Sequence, residues 1–382
     1  MQKLVINRTN GNILKALDGQ DHISGLLFLA PSAEDIPAAF ADAPYAACST
    51  IATAQSLGLS ADATGLARIA YYHISEAIRL NAGLELYVGF VVRSSSTEDF
   101  SAVAAMQQFA GGNIRQIGIW DGSTAISTAT VTALQGQAEA LEAIGQPISI
   151  VIAPKVANIA QLPIDLAGDA PNVSVLIGQD GAVSFGNEES ALPILGVGIV
   201  IGLMSLVAVN ESIAWVSKCA TGVSYAAFAD GTLYRNVDTA TITKLDNARY
   251  LFFKTYAGVS GVYLNDSHNM DDAQSDFCSI ELERTMDKAV RGIRTYLLPE
   301  LGRPLHFNAD GTLRADTLQH LKTVAGKAIE DMESAGEVDG YSVDIDSAQD
   351  VQSTSTLEFC ISQIPVGVLR KAVVNIGYTK SV

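Results

Sequence analysis

Five short apolar runs constrain this chain more than any other feature: GLLFLAPS (residues 25–32), LYVGFVV (86–92), IRQIGIW (114–120), ISIVIAP (148–154) and VSVLIGQ (173–179). Each is too short for a core helix and has almost no polar interruption, the pattern of a strand buried on both faces. Between them lie stretches with helical spacing. In LARIAYYHISEAIRLN the apolar side is Leu66, Ile69, Ala70, His73, Ile74, Ala77 and Ile78, and FSAVAAMQQFAG and VTALQGQAEALEAIG follow the next two runs. Buried strands alternating with helices predict an α/β layer around a mostly parallel sheet.

A further run, LPILGVGIVIGLMSLVAVN (residues 192–210), is long enough to suggest a membrane span. It lacks flanking Lys or Arg, follows Asn187-Glu188-Glu189, and carries Gly196, Gly198 and Gly202, so a buried core helix covering one sheet face is expected. Those glycines miss the dinucleotide-binding spacing and do not follow a strand, which points to close helix contact. The 382 residues suffice for two or three domains. With 48% hydrophobic and 17% charged residues, a well-buried globular protein is expected. A net charge of −17 argues against a nucleic-acid partner, which requires a basic footprint. Cys48, Cys219, Cys278 and Cys360 are far apart and read as reduced core residues. The start, MQKLVINRTNGN, has no secretory signal pattern.

From about residue 226 the character changes. FADGTLY reads as a hairpin, and short strands are expected at 251–254 and 259–264. A helix over 280–298 places Leu282, Met286, Val290, Ile293 and Leu297 on one face, within about 80° of each other. A second helix, 316–335, opens on a capping-box pattern of Asp316 and Gln319 and aligns Leu318, Leu321, Ala325, Ala328 and Met332. Strands are expected at 341–346 and 356–364. The fold class that results is α/β plus α+β: a mostly parallel sheet domain, then a C-terminal domain of two helices and three strands, with extended strand arms at both termini.

Motifs of catalysis are missing. There is no phosphate loop, no HExxH and no GxSxG. The one polar cluster, Asp266, His268, Asp271, Asp272 and Asp276, offers hard-cation oxygens but lacks the glycine and terminal glutamate of a calcium loop. It reads first as a solvated turn ahead of a helix; a metal-assisted α/β enzyme at Asp266–Asp276 is the alternative. His73 reads as a satisfied core residue. No cofactor is expected.

The two ends pose the remaining question. QKLVINRT (residues 2–9) and LRKAVVNIGYTKSV (369–382) both alternate with strand period. They pair either within the subunit or with neighbours, and their residues alone leave both open.

GVYLNDSHNMDDAQSDFCSIELERTMDKAVRGIRTYLLPEL (residues 261–301), together with VDGYSVDIDSAQDVQSTSTLEFCISQIPVGVLRKAVVNIGYTKSV, resembles the contractile tail sheath family. The type is the compact Mu-like subunit of phages, prophages and contractile injection systems. The likeness is specific over residues 192–382 and weaker before them. It implies a non-enzymatic structural subunit that assembles helically around an inner tube and stores contraction energy in subunit contacts, with no nucleotide. The domains would be an arm (1–20), an α/β sheath domain (21–225), a C-terminal sheath domain (226–368) and an arm (369–382). Leu4, Val5, Ile6, Val373, Val374, Ile376 and Tyr378 would then add strands to neighbouring copies. Partners implied are other copies, the inner tube protein, and baseplate and tail terminator proteins, with no nucleic acid and no membrane insertion. Assembly would occur in the bacterial cytoplasm, and the product would be a phage tail or injection particle.

Arg284, Lys288 and Arg291 fall within about 60° on the 280–298 helix, opposite its apolar face. They are expected to look outward, as a contact for the tube or as a solvated face.

Overall fold

The computed structural model of the chain describes residues 20–93, 99–186 and 193–374, together with 376 and 378. Strand β1 (Ser24–Ala30) lies inside a six-stranded sheet. The short β2 (Tyr45–Ala47) forms one edge, β3 (Leu86–Val92) separates it from β1, and β4 (Gln116–Asp121), β5 (Ser149–Pro154) and β6 (Val173–Val175) continue the other side. All pairings are parallel except β2 with β3. Helices α1 (Ile51–Ser56) and α2 (Gly65–Leu80) link β2 to β3, α3 (Ser101–Phe109) links β3 to β4, and α4 (Thr128–Ala143) links β4 to β5. The apolar runs form these strands because both faces are covered, and Leu26, Phe28, Ile119, Ile150 and Ile152 are fully buried. Side-chain caps mark helix starts where the sequence offers them: Thr50 accepts from Thr53 N–H and Ser127 from Thr130 N–H, both at 3.1 Å.

At the carboxyl ends of β3 and β4, where open α/β sheets bind ligands, Arg93 Nε meets Asp121 Oδ2 at 3.0 Å, and the Phe100 ring lies under the guanidinium. Asp121 also accepts from Ser123 and Thr124. An ion pair fills this position.

The strand expected over 173–179 is two strands. β6 ends at Val175, and β7 (Gly178–Asp180) pairs antiparallel with β8 (Ala226–Phe228) in a separate two-stranded sheet. Where the chain leaves the large sheet, Gly178 is pressed against Phe253, whose backbone nitrogen would lie 2.9 Å from an added Cβ, so only glycine fits there without a shift. After β7 comes α5 (Gly181–Gly186). The apolar run at 192–210 supplies α6 (Val197–Leu206), buried on nearly every side. At ten residues it spans about 15 Å, and among the described residues no helix is long and apolar enough to cross a membrane. The three glycines act through close approach: a Cβ at Gly198 would lie 2.4 Å from the His73 carbonyl oxygen, and one at Gly202 would lie 3.0 Å from Ala77 Cα. α6 therefore nestles against the backbone of α2. His73 locks the pair. Its Nδ1 accepts the Gly198 N–H at 3.2 Å and its Nε2 donates to the Ile194 carbonyl at 2.9 Å, so the ring is neutral, and burial lowers its pKa to about 4.

Beyond β8 lie α7 (Thr239–Asn247), β9 (Phe253–Lys254) and β10 (Tyr263–Leu264), the last two paired antiparallel. Their apolar residues join the first core, which runs without a break from Ile23 to Ile280. α8 (Ile280–Leu297), α9 (Ala315–Ser334), β11 (Val338–Asp344), α10 (Val351–Thr354) and β12 (Cys360–Pro365) complete the chain. They enclose a second, small core of Ala289, Ile329, Met332 and Val338. Hydrophobic packing thus divides the chain at α8. The capping box expected for α9 does not form: its N-cap is Arg314, and Asp316 instead accepts from the Arg314 guanidinium at 2.9 Å. Cys48 and Cys219 are buried thiols, but Cys278 is half-buried and Cys360 is exposed on β12, because β12 has solvent on its outer face.

Candidate assembly surface

β11 and β12 form an antiparallel pair with Tyr341 beside Gln363, Ser342 beside Ser362 and Val343 beside Ile361. One face packs on α9, where Tyr341 covers Gly326; the other turns Ser342, Ser362, Cys360 and Ile364 to solvent. Among the described residues each strand has a partner on one side only. Their outer edges present unpaired backbone N–H and C=O groups, a ready template for another strand. A two-stranded sheet is marginal by itself, and along β12 four residues are exposed and two half-buried.

After Pro365 the chain runs extended along the molecule. Val366 and Val368 are half-buried while Gly367 and Leu369 face out. A cleft of about 720 Å³ separates this segment from Ala214, Trp215 and Tyr256. Arg370 then turns inward. Its Nε donates to Asp266 Oδ1 at 3.0 Å, and one Nη donates to Ser267 Oγ at 3.1 Å and to Glu281 Oε1. The Glu281 side chain is 2% exposed, and its second oxygen accepts from Ser267 Oγ at 2.6 Å. Beyond this point the apolar side chains have no cover: Val374 is 81% and Ile376 95% exposed, with Leu369, Val373 and Tyr378 alike in kind. The strand expected over 369–382 takes no ladder partner within the chain among its described residues. Leu4, Val5 and Ile6 lie outside the described residues.

α8 reverses the expectation for its two faces. Arg284, predicted to look outward, is 3% exposed, and the apolar Leu282, Met286, Val290 and Ile293 are only half-buried. Lys288 Nζ meets Asp21 Oδ2 at 2.7 Å and Glu337 Oε1 at 2.6 Å, and Arg291 meets Asp21 Oδ1 at 3.3 Å. The basic stripe is therefore engaged inside the subunit, which removes the exposure on which a tube contact through Arg284, Lys288 and Arg291 was premised. The cause is tertiary: the stripe faces the loop before β1, where Asp21 waits, and the apolar face meets only the small second core. Burial alone would raise the Asp21 pKa, but Lys288, Arg291 and Arg284 hold it below the usual carboxylate range. The same face buries acids. Burial and the neighbouring Asp287 push Glu283 up to about 8, although Asn172 donates to it at 2.7 Å; burial likewise raises Asp287, to about 7. Both Nη atoms of Arg284 and Oδ2 of Asp287 are buried without a hydrogen-bond partner among the described residues.

The side chains of the acidic loop make local polar contacts. Asp266 holds Arg370, Asp272 accepts from Gln274 N–H, and His268 lies 3.7 Å from Asp246 and 3.9 Å from Asp266. Asn269 bridges the carbonyls of Pro171 and Phe277. Among the described residues no group of three or more His, Cys, Asp or Glu could hold a metal ion. Sequence reasoning missed Arg370, Glu281 and Asp21. Neither Arg370, one of two adjacent basic residues with Lys371, nor Asp21 carried a local signal of its partners.

The fold recurs in solved chains of contractile injection systems. A chain of the anti-feeding prophage (AFP) baseplate, in a 6-fold symmetrised cryo-EM structure, superposes with a TM-score of 0.64 over 99% of this chain and 98% of its own, at 12% identity. The PVC sheath complex of an extracellular contractile injection system, in its contracted state, gives 0.63 over 100% and 98%, also at 12% identity. At that identity the likeness establishes the fold. By sequence, the chain belongs to the DUF2586 family: the family's N-terminal domain matches residues 53–268 and its C-terminal domain residues 276–382. No curated protein matches it in sequence.

Proposed function

We propose that this chain is a structural subunit of a contractile sheath, one that polymerises helically around an inner tube and shortens to drive the tube forward. The observation that carries this reading is the presence in one molecule of exposed apolar side chains at Val373, Val374, Ile376 and Tyr378 and of a strand pair whose edges are open among the described residues. A segment of one copy laid on the open edge of the next is a heterologous contact, which propagates into open helical arrays. Each ladder hydrogen bond adds about 0.5–1.5 kcal/mol net, and covering Val374 or Ile376 adds about 1.5–3 kcal/mol each. Residues 2–9 would make the reciprocal exchange. The shared fold with a sheath complex supports the reading. Inner tube, baseplate and terminator proteins are the further partners it requires, in a particle assembled in the bacterial cytoplasm.

Negative-stain microscopy of purified chain tests it. Hollow striated cylinders are expected, and their loss on deleting residues 371–382 from a subunit that stays folded. Only small discrete particles from the intact chain at high concentration, with or without an inner tube protein, would overturn it.

A further inference from the structure

The root of the C-terminal segment is a built site rather than a loose exit. Residues 366, 368 and 370 share one side of an extended run, with Val366 and Val368 half-buried beside the cleft. The run ends on a guanidinium gripped by two carboxylates and a hydroxyl. One carboxylate, Glu281, is almost wholly buried, so it depends on Arg370 and Ser267 for compensation. The other, Asp266, is three-quarters buried. Among the described residues, 366–374 make no backbone ladder with the rest of the chain. Charge-assisted hydrogen bonds of this kind are roughly twice as strong as neutral ones.

We infer that Arg370 is a releasable latch that sets how much free chain the C-terminal segment has. While it is closed, the segment leaves from Lys371. Once it opens, the chain is free from Pro365, and five further residues add about 17 Å of reach. The latch itself is a property of the single subunit. Its use rests on the sheath reading above: neighbours joined by an exchanged strand must separate or rotate when the assembly changes length, and slack released at the root lets the strand stay docked. Arg370 is a positioning residue here, acting through the segment it holds.

Trypsin reads the latch directly in the free, full-length subunit. Both side chains reach solvent, but cleavage after Arg370 requires its guanidinium to leave Asp266 and Glu281 for the protease, whereas Lys371, one residue on, has no ion pair among the described residues and serves as an internal reference. Mass spectrometry of the released peptides gives the ratio of the two cuts. In Glu281→Gln, and independently in the more exposed Asp266→Asn, the ratio is expected to rise about five- to tenfold; two variants guard against a folding defect in the buried one. A ratio within twofold of the parent in both overturns the latch. Assembly then separates the latch from its use. Sheaths of the variants formed on tubes should convert to the shorter, wider form more readily than the parent's under the same mild heating. A raised ratio with unchanged conversion overturns the slack role while leaving the sheath reading intact.

Discussion

Gly198→Ala puts the α2–α6 contact to the test. Placed inside a helix, alanine is worth about 1 kcal/mol more than glycine, so propensity alone predicts stabilisation. The geometry predicts the opposite. The new methyl would lie 2.4 Å from the His73 carbonyl oxygen and 2.6 Å from His73 Cα, both backbone atoms that no rotamer change can move aside. To restore ordinary contact α6 must retreat by about 1 Å, and overpacking of this kind costs about 1–3 kcal/mol. Retreat also breaks the 3.2 Å bond from Gly198 N–H to His73 Nδ1, costing about 1 kcal/mol more and leaving a buried ring nitrogen unpaired. The net expectation is destabilisation by about 1–3 kcal/mol and a Tm lower by several degrees. Gly136→Ala is the control: it lies within α4, and nothing stands within 4 Å of the added Cβ. That variant should gain about 0.5–1 kcal/mol. Thermal unfolding followed by circular dichroism reads both. If Gly198→Ala is as stable as the parent while Gly136→Ala behaves as expected, the helices are not in backbone contact and the account of the glycines fails.

Three further outcomes follow from the same structure. Glu283 keeps its proton in the fold above the ordinary glutamate pKa, so the folded state binds more protons than the unfolded chain and stability falls as pH rises from about 4.5 to about 8. Glu283→Gln removes that loss; it should match the parent at pH 4.5 and exceed it by about 1–3 kcal/mol at pH 9, and parallel urea curves across that range would refute the burial of an ionisable acid. Val374→Pro should leave the subunit's melting curve unchanged, since the residue is exposed and unpaired, yet abolish cylinders in negative stain by removing a ladder donor; cylinders at the parental yield would exclude this stretch as the exchanged strand. Asp21→Ala strips Lys288 and Arg291 of a shared partner in a partly buried setting and should cost about 2–4 kcal/mol, measured by denaturant unfolding; a loss below 0.5 kcal/mol would mean the stripe is solvated after all.

The alternating first half was legible because strands buried on both faces write themselves as unbroken apolar runs. LYVGFVV begins and ends where β3 does, and the glycines of α6 declared its close neighbour before that neighbour was known. Residues 173–179 misled for a related reason: a continuous apolar run says that a segment is buried, not that it stays in one sheet, and the partner that takes up Gly178–Asp180 is β8, nearly fifty residues on. The polar grip on Arg370 was illegible because its partners, Asp266 and Glu281, sit about ninety to a hundred residues earlier.

α8 marks the boundary between the two kinds of information. Its sequence determined a helix, its length and its two faces, because those depend on local periodicity and local termination at Pro299. Which face would be covered was decided by the tertiary structure. The sheet domain, with Asp21 and Arg115 at the end of its strands and Asn172 at its edge, supplies counter-charges and a large surface to the charged side. Among the described residues the apolar side meets a second core to which other elements bring three buried side chains, Ile329, Met332 and Val338. A hydrophobic stripe states what water disfavours, but burial also depends on how much partner surface each side finds, and on whether that partner brings charges of the opposite sign.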